Sequence, residues 1–250
     1  MESGANFHYK ERSVLTATEA LDQTKEMAKH FNCSQNQWME CLRQLSAEDV
    51  NNYTSITTWP LEGTEYLPID AQTSFREGKY NKDIDIIAGV TRDEGSLLSY
   101  WIYPELHGNF TEQEFRGLVQ GSDFFFHGIP VQNVTDYYLR NVNTSDSQAL
   151  KHAFYNYFGD IFMKCPTYLF AKQFAINAKN TSHNVYYYEL TYQAQDGAIY
   201  GCVEETMGIC HGSDVAFVFG QLFEYNSTTP LDLKFSAEIM QMWTQFAKNG

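Results

Sequence analysis

The 250 residues carry 31 acidic against 17 basic side chains, a formal net charge of −14, with 43% hydrophobic and 16% aromatic content. So acidic a surface repels phosphate backbones and anionic lipid, which argues against nucleic-acid and membrane partners, and the aromatic content argues against disorder. No run reaches the ~18 apolar residues of a membrane span, and "MESGANFHYKERS" at the N-terminus holds no apolar signal core.

Residues 15–31 have helical spacing through Leu15, Ala20, Leu21, Met27, Ala28 and Phe31. A short second helix is predicted in "SQNQWMECLRQLS", where Trp38, Cys41, Leu42 and Leu45 fall three or four apart. Residues 50–81, rich in Pro, Gly and Thr, read as loop. The β-branched run "DIDIIAGV", 83–90, suits a strand buried on both faces. The segment 112–178 reads as mostly helical, with breaks at "GSDFFFHGIP" and at Pro166. "NVYYYELTY", 184–192, is a second strand, and "KFSAEIMQMWTQFAKNG" is an amphipathic helix with Asn249 and Gly250 at its C-cap. Two core strands separated by a long helical excursion predict an α/β fold with a helical insertion, and residues 1–250 read as one domain without repeats or linkers.

Asn32, Asn52, Asn109, Asn133, Asn143, Asn180 and Asn226 each precede x-Ser or x-Thr, which makes them candidate glycosylation sites. Cys33 and Cys41 are eight apart, as are Cys202 and Cys210. Both intervals are polar and suit small disulfide loops, each worth ~2.5 kcal/mol in the chain-entropy model, rather than a zinc or redox spacing. Sequons and paired cysteines together predict the secretory pathway. Cys165 is left over, and no metal or cofactor is expected.

Two stretches carry chemistry. "GVTRDEGSLL" places Asp93 and Glu94 after the first strand, where α/β proteins build sites, although a helix-capping acidic turn has the same composition. "TMGICHGSDVAFVFG" places His211 in a turn ahead of the apolar run Val215–Phe219, although a histidine bonded within its loop would look the same. An acid followed by a histidine, each after a strand, fits the second and third members of a nucleophile–acid–histidine triad.

"GVTRDEGS", "MGICHGSDVAFVFG" and "MWTQFAKNG" resemble three stretches of the type-B carboxylesterases, the family that includes the cholinesterases. "MESGA" resembles the strand end after that family's nucleophile helix, and "GDIFMKCPTYLFAKQFA" its long helix before the penultimate strand. The resemblance covers the whole chain and implies an α/β-hydrolase fold, with Glu94 as the acid and His211 as the base of a secreted carboxylic ester hydrolase. It places the Cys33–Cys41 loop at a family disulfide and Cys165 at a cysteine whose partner lies beyond residue 250. The Cys202–Cys210 pair points to the arthropod branch of carboxylesterases.

The chain departs from the family pattern by lacking G-x-S-x-G and the glycine-rich oxyanion loop. Residues 1–250 are therefore expected to be the C-terminal portion of a longer protein, truncated at both ends. Taken alone they are expected to be inactive and, with an exposed sheet edge, to express poorly or self-associate. Leu97, Leu98 and Val203 stand where cholinesterases carry aromatic residues. They imply a substrate-lining aliphatic wall suited to a neutral small-molecule ester, with Phe124, Phe125 and Phe126 read as core. A non-catalytic, neuroligin-like binding protein on the same fold is the alternative, and oligomeric state is left open.

Overall fold

The computed structural model describes residues 1–4, 14–126, 128–179, 181–195, 201–202 and 205–250. They divide into two compact units, one from the described residues of Glu11–Tyr80, the other from those of Met1–Lys10 and Asn81–Gly250.

The smaller unit holds helices α1 (Ala17–His30), α2 (Trp38–Arg43), α3 (Ala47–Asn52) and α4 (Ala71–Glu77). Thr16 opens α1 with a reciprocal capping box to Glu19, which satisfies two backbone N–H groups that lack helical partners. The Cys33–Cys41 disulfide ties the end of α1 to α2, with Cα atoms 5.7 Å apart. The expected 50–81 loop is corrected by α4. Asp70 caps its N-terminus by accepting from the Thr73 N–H at 3.0 Å, and Gly78 ends it at φ +68°. Those two signals were present in the sequence but were outweighed by the surrounding Pro, Gly and Thr.

In the larger unit β1 (Ile86–Thr91) and β2 (Val185–Leu190) pair in parallel, in register from Ile86 opposite Val185 to Thr91 opposite Leu190. Glu2 adds a single parallel bridge to Gly89. Ala88 and Val90 on one face and Gly89 and Thr91 on the other are all buried, as a strand covered on both faces requires. Between the strands lie α5 (Gly95–Ile102), α6 (Glu112–Phe126), α7 (Val131–Leu139), α8 (Ser147–Gly159) and α9 (Cys165–Ala178). The core shared by α5, α6, α7 and α8 is aromatic, built from Phe110, Phe115, Phe154 and Phe158 with Leu106 and Leu150. After β2 come α10 (Ser213–Val218) and α11 (Pro230–Asn249). Thr229 and Asp232 form a capping box on α11, and Gly250 closes it at φ +80°.

The break expected at "GSDFFFHGIP" falls in its second half, between the end of α6 at Phe126 and the start of α7 at Val131. Two other expectations for the helical excursion are corrected. Phe124 and Phe125 are 75% and 55% exposed rather than core, and of the three only Phe126 is partly covered. Pro166 does not break the chain. One π turn, Asp160–Lys164, joins α8 to α9, and Pro166 sits in the first turn of α9, where a missing amide hydrogen costs little.

The entrances of both strands are clasped by His183. Its Nε2 lies 2.7 Å from Asp83 Oδ1 and its Nδ1 3.3 Å from Asp85 Oδ2, while Asp85 also accepts the Asn184 N–H at 2.6 Å. Hydrogen bonds to these two carboxylates raise the His183 pKa above its ordinary value. A raised folded-state pKa adds stability that is fully present below the unfolded value of ~6.5 and is lost as pH rises through the folded value. The melting temperature of the wild type is therefore expected to fall more steeply between pH 6 and 8 than that of His183→Gln. Parallel melting curves for the two would contradict this role.

Candidate active site

The turn after β1 presents Asp93 and Glu94 in succession, and the fold gives them different tasks. Glu94 is completely buried and receives three donors. Its Oε1 accepts the Thr91 N–H at 2.7 Å and the Ser3 hydroxyl, while its Oε2 lies 2.6 Å from His211 Nδ1. Burying a carboxylate is costly unless its lone pairs are met, and here the strand end, the bridging N-terminal residues and the imidazole meet them.

Asp93 faces the backbone that carries the histidine. Its Oδ2 accepts the Ile209 N–H at 2.8 Å and pairs with the Arg92 guanidinium at 2.8 Å, and its own N–H donates to the Ile209 carbonyl at 3.0 Å. Ser96 donates to the Met207 carbonyl at 2.8 Å from one turn further on. Gly208 passes between these anchors at φ +61°, and a Cβ there would stand 2.1 Å from Asp93 Oδ2. The loop is thus gripped at residues 207 and 209 by the same turn that holds the ring of His211.

A disulfide locks the other side. Cys202 and Cys210 are bonded, with Cα atoms 6.0 Å apart, and Leu97 and Met207 pack on the bridge. Gly212, at φ +84°, turns the chain from His211 into α10. The result is an imidazole with Nδ1 committed to Glu94 and a side chain still 29% exposed. With Nδ1–H donating to the carboxylate, Nε2 holds the lone pair and can accept a proton. The hydrogen bond that His211 donates to Glu94 raises the His211 pKa, burial opposes it, and the charges of Glu94 and Asp214 add to the rise.

A second buried acid, Asp214, follows in α10 and accepts from the Tyr188 hydroxyl at 2.7 Å. Burial raises its pKa. Beside it, Trp243 Nε1 donates to Glu2 at 2.7 Å.

Of the other residues singled out in the sequence, Leu97 is buried against the disulfide and Leu98 is half-buried against the aromatic core. Val203 and Asn180 lie outside the described residues. Asn32, Asn52, Asn109, Asn133, Asn143 and Asn226 are all exposed. Sequence reasoning missed Ser3, and the signal available was the serine of "ESG", whose hydroxyl reaches Glu94 from 91 residues away. It also left Asp93 without a role, since adjacent carboxylates on a turn look alike until the backbone they face is known. Among the described residues no group of three or more His, Cys, Asp or Glu is placed to hold a metal ion, and no helix is long and apolar enough to cross a membrane.

A model of the carboxylesterase family matches residues 3–250. The chain is similar to mouse cholinesterase, 26% identical over 259 residues that take in 95% of this chain and 41% of the mouse protein. It is also similar to acetylcholinesterase 4 of Caenorhabditis briggsae, 26% identical over 249 residues, 85% of this chain and 39% of that one. A medium-chain fatty acyl-CoA hydrolase precursor from Anas platyrhynchos is 24% identical over 250 residues, 95% of this chain and 43% of the duck protein. The chain therefore spans less than half the length of the curated relatives it matches.

Proposed function

The chain belongs to the carboxylesterase family, and from that premise we propose that Glu94 and His211 are the acid and the base of an ester-hydrolysing triad whose serine is absent from these 250 residues. The observation that carries the proposal is the 2.6 Å contact between a fully buried carboxylate and one nitrogen of a partly exposed imidazole. In the proposed reaction His211 Nε2 takes the proton of the serine hydroxyl as that oxygen attacks the ester carbonyl. Glu94 fixes the tautomer and stabilises the imidazolium, which then protonates the leaving alcohol. A water molecule, deprotonated by the same nitrogen, releases the acid from the acyl-serine.

On this reading residues 1–250 form the C-terminal portion of one α/β-hydrolase domain, and taken alone they do not turn over esters. Two disulfides and six exposed sequon asparagines support a secreted glycoprotein.

The test is the pH profile of hydrolysis in the protein that joins these residues to their serine. His211 works as a base only when neutral, so the rate is expected to rise with pH through an inflection above the ordinary histidine value, the direction in which Glu94 moves it. Glu94→Gln is expected to move the residual inflection downward. An inflection that ignores position 94 would contradict the assignment.

A further inference from the structure

A cavity of about 350 Å³ opens among α6, α7, α8 and α9 and shares no lining residue with the Glu94–His211 pair. That volume lies within the ~300–1,000 Å³ usual for small-ligand sites. Phe126, Ile129, Val134, Tyr157 and Leu169 make its walls apolar and partly aromatic. One acidic side chain, Asp160, stands among its lining residues, and none of them is basic.

The backbone places that carboxylate by a departure from regular helix. Asp160 begins the π turn between α8 and α9, and its carbonyl accepts the Cys165 N–H five residues on. Such turns occur mostly as single insertions and often at functional positions. The Tyr138 hydroxyl donates to Asp160 Oδ2 at 2.7 Å. Burial, with that hydrogen bond, holds the Tyr138 phenol well above its usual pKa, so Tyr138 remains the donor. Asp160 is partly exposed and is the one charged side chain in the cavity lining.

We propose that this cavity binds a primary alkylammonium ion, with its chain among Phe126, Ile129, Val134 and Leu169 and an N–H donated to Asp160. The chemistry selects this class on two grounds. A carboxylate among apolar walls whose lining holds no basic side chain stabilises a positive donor and repels a carboxylate ligand. The net charge of −14 raises the local concentration of cations around the protein. A neutral alcohol of the same length gains the apolar contacts without the charged hydrogen bond.

The experiment is calorimetric titration, with n-octylammonium, 1-octanol and octanoate, of the protein that joins these residues to their serine. Saturable binding of one n-octylammonium per chain is expected, with octanol weaker and octanoate without measurable affinity. Asp160→Asn keeps an acceptor for Tyr138 but removes the charge, and is expected to weaken n-octylammonium by about tenfold or more while leaving octanol unchanged. Val134→Trp is expected to abolish both by filling the cavity, with near-UV circular dichroism reporting that the variant is folded. Where Val134→Trp does not fold, the Asp160→Asn comparison decides. No saturable binding, equal binding by octanoate, or an n-octylammonium affinity unmoved by Asp160→Asn would overturn the proposal.

Discussion

Glu94→Gln is expected to lower ester hydrolysis by about 10⁴ in the protein that joins this chain to its serine, whereas Asp93→Asn costs less than about tenfold. The two residues are adjacent, similar in chemistry and on the same turn, so the contrast isolates what each one faces. An amide at position 94 cannot hold the imidazole in the tautomer that leaves Nε2 free, and it cannot stabilise the imidazolium formed in the transition state. At position 93 the amide oxygen still accepts the Ile209 N–H, and only the ion pair with the half-exposed Arg92 is lost. Exposed ion pairs of this kind contribute little. Steady-state kcat and KM for both variants separate the cases. Equal losses at 93 and 94 would mean that the turn acts only as a structural anchor.

Gly95→Ala is expected to destabilise the fold by about 3 kcal/mol, a large part of the 5–15 kcal/mol typical of a domain. A Cβ on Gly95 would stand 2.0 Å from the Tyr155 carbonyl and 2.3 Å from the Gly159 amide, so α8 would have to move as a body. Backbone atoms on a packed helix cannot yield as a side-chain tip can. The same substitution at Gly117, in an exposed stretch of α6 with nothing within 4 Å of the added methyl, is expected to stabilise by about 0.5–1 kcal/mol through helix propensity. Urea midpoints at constant m-value measure both changes. A neutral Gly95→Ala would show that α5 and α8 are not in close contact at that point. The position matters beyond stability, because Gly95 follows Glu94 directly and any shift of α8 is passed to the acid.

The strands and most of the helices were legible from periodicity alone. The β1 and β2 runs are dense in β-branched and aromatic residues, and α1 and α11 carry strong caps and amphipathic spacing. Where the reading failed, the deciding physics was not local. Phe124 and Phe125 are as apolar as any core residue, yet they are exposed, and composition cannot tell which face of α6 is covered. Pro166 reads as a break until a π turn upstream places it where no amide hydrogen is required.

For the candidate site, sequence supplied the residue types and motifs at Glu94 and His211. It could not show that the two meet across a separation of 117 positions. Nor could it show Ser3 completing the shell of Glu94, or Asp93 and Ser96 holding the histidine loop by its backbone. Contacts to main-chain atoms leave almost no trace in residue identity, because any residue can supply the partner N–H or C=O. The Cys202–Cys210 spacing was the exception, since a disulfide names both its partners.

The measurement that tests the central claim most directly is turnover of p-nitrophenyl butyrate by the protein carrying these residues together with its serine, compared between wild type and His211→Ala. Hydrolysis by the wild type with a loss of about 10⁴-fold or more in the variant is the predicted result, because without the imidazole the serine proton has nowhere to go. Hydrolysis that survives in His211→Ala, or a folded wild type with its serine in place that does not turn over the ester, would contradict it.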